Sequence, residues 1–325
     1  MSKVRWGLVG TGGISSRTVG DLRLCPDAEI TAVSSRQQAS ADAFASMWDI
    51  TNAFGDYDAM IASDLIDAVY IGTPHGTHFS LAKRALHAGK HVLCEKPLTM
   101  APEESTELAR IAREHKLFIM EAMWMKFTPG MQKAMELIKS GEVGVPSFLQ
   151  AGLGYAVPKD GPARFWDPEL GGGALYDMAI YPVTLAQMIF GKVESMTATG
   201  LLLENGVDLH EGYTINYVGG GIAQLVTSID FFIPPKGWLG GTKGCLEFNQ
   251  PLWSPRSITL TVGKPPQPPV VEEISFDIEG AGYVPMFREV IKCILAGEIE
   301  HPLHPVSETV TALETLQAIH AKLTS

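Results

Sequence analysis

A strand, a glycine-rich turn and a helix in immediate succession leave a chain few folds to choose from, and this chain opens with that succession. The apolar run at 4–9 leads into Gly10-Thr11-Gly12-Gly13-Ile14-Ser15, and a helix is expected over 14–24, closed by Pro26. In this context Gly10 permits the tight turn, and Gly12 lets the backbone approach a pyrophosphate. The helix start then offers unpaired N–H groups and a partial positive charge to that anion. Ser15 stands where Gly or Ala is usual and is small enough for close helix–strand packing. Without a ligand the same residues would make a plain strand–helix turn, but the pattern behind them favours the nucleotide reading.

That pattern is an alternation. Strands are expected at 29–34, 68–72, 91–94 and 117–120, and helices at 39–48, 79–88 and 102–115, where Pro102 sits near the first turn. Alternation of this kind predicts a doubly wound parallel sheet, a Rossmann domain over 1–121. After Ala122 the rhythm changes. A short helix at 131–139 is followed by longer strand candidates at 146–155, 195–203, 212–217, 221–232, 244–248, 257–262 and 270–278. Stretches such as Ser257-Ile258-Thr259-Leu260-Thr261-Val262 alternate apolar and polar residues, which predicts an open, mostly antiparallel sheet with one covered face. Helices at 286–295 and 307–323 close the chain, the last able to return to the first domain. The second domain, 122–325, is therefore expected to be α+β and to bind substrate. The Pro-rich stretch Lys264-Pro265-Pro266-Gln267-Pro268-Pro269 reads as a loop.

Bulk properties exclude several classes. The net charge is −11, from 25 basic and 36 acidic residues, with no Lys/Arg cluster to make a nucleic-acid face. No uncharged apolar run reaches the ~18 residues of a membrane span. The four cysteines, Cys25, Cys94, Cys245 and Cys293, are widely spaced and read as free thiols in a reducing compartment. No signal-peptide pattern precedes the glycine motif, so a cytoplasmic location is expected.

The second strand bears on the cofactor. NAD sites usually place Asp or Glu about 20 residues past the fingerprint, on the ribose hydroxyls. Here the strand ends Ala32-Val33-Ser34-Ser35-Arg36, with no acid at its tip. A guanidinium can bind a 2′-phosphate through its planar fork, and Ser35 adds a hydroxyl donor. NADP is therefore expected over NAD, although Arg36 alone could be a solvated surface residue.

Further motifs line up in order: Thr73-Pro74 with His78, Glu95-Lys96-Pro97, Glu121-Ala122-x-Trp124, and Gly171-Gly172-Gly173-Ala174-Leu175-Tyr176-Asp177-x-x-x-Tyr181. Across nearly its whole length the chain resembles the glucose–fructose oxidoreductase, inositol dehydrogenase and rhizopine-catabolism family (Gfo/Idh/MocA). Within it the Trp124 segment and Tyr181 are most similar to the dimeric dihydrodiol dehydrogenase and NADP-linked xylose dehydrogenase branch. Tyr181 stands where many inositol dehydrogenase-like members have His, and Lys126 where the branch often has Arg.

The resemblance implies an NADP-dependent dehydrogenase or reductase acting on a CH–OH group of a sugar, polyol or cyclic trans-diol; a homodimer is expected because a large open sheet needs cover. The resemblance also implies that Lys96 lies beside the nicotinamide and the reacting hydroxyl. Tyr181 becomes the general acid/base, and Asp177 orients substrate and Lys96. A free phenol, with pKa ~10, is a weak base at neutral pH, and a nearby ammonium favours its ionised form. Asp177 and Tyr181, four apart on an expected helix, share a face. Thr73, Pro74, His75, His78, Glu95 and Trp124 fall to the cofactor side, and Lys126, Phe165 and Trp166 to the substrate pocket. Each has a plainer reading: Tyr181 alone is a core tyrosine, Lys96 a solvated lysine, and the aromatics ordinary core. His75 and His78 lack the carboxylate or thiol partners of a metal site, and none is expected. His301 and His304 read as surface residues in a turn. The competing function is a non-catalytic NADP-binding sensor or co-regulator, which would not need Lys96, Asp177 and Tyr181 together. An aldose–ketose oxidoreductase would need an N-terminal arm that is not expected here.

Overall fold

The computed structural model describes residues 3–263 and 265–324; Lys264, at the head of the expected Pro-rich loop, lies outside them. The chain forms two units. The first runs to Trp124 and takes in Glu279–Thr311; the second is Met125–Ile278 and the chain from Ala312 onward.

In the first unit six strands form one parallel sheet. They are β1 (Val4–Val9), β2 (Ala28–Ser34), β3 (Asn52–Phe54), β4 (Ala68–Ile71), β5 (His91–Cys94) and β6 (Ile119–Glu121). The order is β3-β2-β1-β4-β5-β6, which reverses at β1. That reversal is the doubly wound arrangement, whose strand ends open a crevice for a ligand. Every residue of β4 and β6 is buried, as expected of strands covered on both faces. Val9, Ile71, Val92, Cys94 and Ile119 pack with Leu81, Leu108 and Ile111 in one core cluster. The returning segment belongs to this unit: the Asp21 carboxylate accepts the Ala281 and Tyr283 N–H groups at 2.8 and 2.7 Å. The Phe287 ring meets Trp6 edge-on at 6.3 Å.

The second unit holds an eight-stranded sheet. Its members are β7 (Pro146–Gly154), β8 (Val193–Leu202), β9 (Asp208–Tyr217), β10 (Ile222–Ser228), β11 (Ile233–Gly241), β12 (Gly244–Phe248), β13 (Ser257–Val262) and β14 (Val270–Ser275). The order is β14-β13-β12-β11-β7-β10-β9-β8. All its pairings are antiparallel except β7 with β10. The helix Ile180–Phe190 packs on β7 and β10. Leu149, Ala151, Leu153, Tyr213, Ile215, Ala223 and Leu225 are buried, while Gln150, Gln224, Val226 and Trp238 are exposed.

Two expectations change here. Residues 221–232 are not one strand: β10 ends at Ser228, and β11 begins at Ile233. Pro234 and Pro235 lie in β11 where its register with β7 shifts between Ile233 and Lys236, a place where missing N–H donors do little harm. The expected helix over 177 and 181 is partly a π turn, Leu175–Ala179, that runs into the α-helix Ile180–Phe190. Among the described residues no helix is long and apolar enough to cross a membrane.

Candidate active site

In the first unit the candidate residues follow five strand ends of one sheet. Gly10 follows β1, Ser35 and Arg36 follow β2, Thr73 and Pro74 follow β4, Glu95 and Lys96 follow β5, and Trp124 follows β6. Gly10 has φ +102°, and a Cβ there would lie 3.0 Å from Thr73 Cγ2 and 3.1 Å from the Gly72 carbonyl. Gly12 and Gly13 are exposed, and a Cβ on either would meet nothing within 4 Å. The helix Gly13–Arg23 begins with no side-chain cap and no acid in its first turn, while Thr11 and Ile14 are half-buried beside it. Its first N–H groups are thus left for an anion, so these residues fit a pyrophosphate.

At the tip of β2 the Thr11 hydroxyl lies 3.4 Å from that of Ser35, which is buried. Arg36 is exposed, and its charge is felt at the Tyr57 phenol. His75 is buried and meets His78 edge-on, ring centroids 5.7 Å apart. His78 is fully buried, with Nε2 2.8 Å from the Thr73 carbonyl and Nδ1 2.8 Å from the Pro97 carbonyl. Both ring nitrogens thus face backbone carbonyls, and the neutral ring donates its single N–H to one of them. Burial pulls the His78 pKa below the ordinary imidazole range. Glu95 is buried and accepts the Tyr70 hydroxyl, while its second oxygen faces the Lys96 N–H at 3.3 Å. Lys96 itself is 9% exposed. Trp124 stacks on Tyr283, centroids 4.3 Å apart and planes 20° apart.

His301 and His304 are not surface residues. They are 7% and 2% exposed, because the returning segment lays this turn against the end of β6. There His304 Nε2 lies 2.8 Å from Glu121 Oε2.

In the second unit the glycines of 171–173 lead into the π turn. Gly173 has φ +110°, and a Cβ there would stand 2.1 Å from Asp208 Oδ1. The other Asp208 oxygen accepts the Leu175 N–H at 2.7 Å. Asp177 lies in the π turn, with Oδ2 3.5 Å from Arg164 Nη1. π turns of this kind recur at functional sites, where they re-aim side chains. Tyr181 is 8% exposed, and its ring meets Trp253 at 5.6 Å and 37°. Phe165 lies under the Arg164 guanidinium at 3.8 Å. Trp166 donates to the Pro158 carbonyl at 3.1 Å, and Lys126 is 1% exposed.

Sequence reasoning missed Arg164, Trp253 and Asp208, and took the buried His304 for a surface residue. None stands in a motif or at a helical spacing from its partner, so no local signal marks them. Gly173 alone carries a trace, since a conformation with positive φ favours glycine.

A family profile described as "Oxidoreductase family, NAD-binding Rossmann fold" matches residues 4–123, and one described as "GFO/IDH/MocA C-terminal domain" matches 131–247. Trans-1,2-dihydrobenzene-1,2-diol dehydrogenase of Xenopus laevis is 34% identical, covering 94% of this chain and 93% of its own. The Homo sapiens protein of that name is 32% identical, covering 97% and 96%. Among solved structures, a 3-ketoreductase from Actinomadura kijaniata with NADP and TDP-benzene has a TM-score of 0.89 at 24% identity, covering 99% of this chain and 98% of that one. An aldose-aldose oxidoreductase from Caulobacter crescentus with glycerol has a TM-score of 0.87 at 20% identity and the same coverage.

Proposed function

The chain belongs to the GFO/IDH/MocA oxidoreductase family, and from that premise we propose that it moves a hydride between NADP(H) and a hydroxyl or carbonyl of a sugar, polyol or cyclic trans-diol. The observation that carries the reading is the row of candidate residues on five strand ends of one parallel sheet, where such sheets bind dinucleotides. Relatives named for a dihydrobenzene diol support the cyclic diol as the first substrate to try.

Arg36 supports NADP over NAD. No carboxylate stands at the end of β2 to take the ribose hydroxyls, and the exposed guanidinium is suited to a 2′-phosphate. Once bound, the nicotinamide takes or gives the hydride. The rest of the chemistry falls to the protein. Tyr181 removes the hydroxyl proton as the hydride leaves, and returns it in the reverse direction. The Lys96 ammonium makes that phenol a better base and donates to the substrate oxygen. Asp177, with Arg164 beside it, orients the substrate. Phe165, Trp166 and the buried Lys126 belong to the pocket that receives it. The open face of the eight-stranded sheet, with Trp238 and Val226 exposed, suits pairing with a second copy.

The test follows NADPH formation over a panel of cyclic diols, sugars and inositols, with Tyr181→Phe and Arg36→Ala beside the wild type. Tyr181→Phe keeps the ring against Trp253 and should lower kcat by about 10²–10⁴, the usual share of a general acid/base. Arg36→Ala should weaken NADP binding by about 10- to 100-fold, corresponding to roughly 1.5–3 kcal/mol for a charged hydrogen bond, and leave NAD nearly untouched. Near-normal kcat in Tyr181→Phe would remove the tyrosine from the chemistry and make Lys96 the leading base. Equal loss of both cofactors in Arg36→Ala would remove the 2′-phosphate contact.

A further inference from the structure

The peptide that joins Pro97 to Leu98 is held at both of its polar ends by buried ionisable side chains. Its carbonyl oxygen lies 2.8 Å from His78 Nδ1. Its N–H donates to Glu121 Oε1 at 2.9 Å. His78 is 0% exposed and Glu121 1%. Each holder is itself fixed. His78 places its other nitrogen on the Thr73 carbonyl, in the turn after β4. Glu121 Oε2 faces His304 Nε2 at 2.8 Å and accepts the Thr309 hydroxyl at 3.2 Å.

We propose that His78 and Glu121 are positioning residues for Lys96, acting through the Pro97–Leu98 peptide that follows it. The inference rests on the role given to Lys96 above. Lys96 and Pro97 follow β5 directly, and a strand end without a regular element behind it is free to rotate about its peptide planes. Clamping the next peptide at both its oxygen and its nitrogen removes that freedom. The buried His78 ring also lies between this peptide and the Thr73 turn on the cofactor side. The clamp draws on three separate parts of the chain: the start of the helix His78–His87, the end of β6, and the returning segment through His304 and Thr309. Salt on the surface does not screen it, since every member is buried. The chemistry needs that order, because a misplacement of about 1 Å in a catalytic group can lower a rate about 100-fold.

Glu121→Ala removes the acceptor for the Leu98 N–H, while Glu121→Gln retains a carbonyl oxygen that can take it. Against a substrate the wild type turns over, Glu121→Ala should lower kcat per folded molecule by about 10- to 100-fold with KM little changed, and Glu121→Gln should recover most of it. Reductive methylation of Lys96, read by peptide mass spectrometry on the protein without substrate, should run faster in Glu121→Ala than in wild type. Lys96→Met is assayed alongside. If Lys96→Met is inactive while Glu121→Ala keeps wild-type kcat and wild-type methylation of Lys96, the clamp is only structural and the proposal is overturned. If Lys96→Met itself turns over normally, the role of Lys96 is wrong, and positioning it cannot be what Glu121 does. Should Glu121→Ala not fold, His78→Gln poses the same question from the carbonyl end, read by the same kcat, KM and methylation measurements.

Discussion

Glu121 and Glu211 are each 1% exposed, one at the end of β6 and the other inside β9. Burial pushes both upward, but their neighbours differ. At Glu121 the bonds from His304, Leu98 and Thr309 outweigh burial and hold the carboxyl below the ordinary range. At Glu211, burial and then the facing charge of Asp208 drive the carboxyl well above it, while the Thr227 hydroxyl donates to Oε1. The signs of the two effects on stability are opposite. Glu121 favours its charged form in the fold, so its contribution is present above the ordinary glutamate value near ~4.3 and is lost as pH falls below it. Glu211 favours its neutral form, so the unfolded chain ionises above ~4.3 while the native state keeps the proton, and stability falls as pH rises. Glu211→Gln mimics the protonated form at every pH. Its stability relative to wild type should therefore grow as pH rises above ~4.3, by up to about 1.4 kcal/mol per pH unit, the limit for one proton. Denaturant unfolding at several pH values measures it, and a constant offset would show Glu211 ionised in the fold. At this scale, Lys96, Asp177 and Tyr181 were singled out as candidates because each stands in a short motif. Glu121 appeared in a motif too, but its meaning depends on His304, 183 residues away, and pairing over such a distance leaves no periodic trace.

Elements were read most easily where their apolar pattern was undisturbed. β5, β12, β13 and the helix Pro102–His115 have the bounds that their sequence patterns give. β11 was missed because Pro234 and Pro235 argue against a strand, and only its pairing with β7 shows that they fall at a register shift. The π turn was missed because five residues of wider winding keep 177 and 181 on nearly the same face as an α-helix would. Its anchoring is what the glycines of 171–173 contribute. An alanine at 173 would need a positive φ, which costs on the order of 1–3 kcal/mol, and would drive its Cβ into the Asp208 carboxylate that holds Leu175. Gly173→Ala should therefore lower both Tm and kcat. Gly206→Ala is the control, since Gly206 also has a positive φ, +86°, but its Cβ would meet nothing within 4 Å. Calorimetry and turnover on the two variants separate the cases. Equal effects would mean that backbone strain alone matters and that the Asp208 contact does not.

For the whole molecule, the sequence pattern left the last helix able to return to the first domain, but gave no sign that Glu279–Thr311, with the helix Val284–Ala296, belongs to the first unit. Periodicity shows that the helix Val284–Ala296 has an apolar side and says nothing about which sheet receives it. Pairing through the open sheet face is expected to give a dimer at micromolar concentration, measured by light scattering, and Trp238→Glu should shift it to monomer. A wild-type monomer under those conditions would sink that expectation. The returning segment also sets a schedule for synthesis. The strands of the first sheet leave the ribosome early, yet the partner of Glu121 is made 183 residues later. At ~5–20 residues per second that is a wait of roughly 10–40 s, with the whole second sheet translated in between. During that interval the nascent nucleotide-binding half holds a buried carboxylate without its imidazole and a Trp6 face without Phe287. Maturation of the first unit therefore waits for the segment that carries Phe287 and His304.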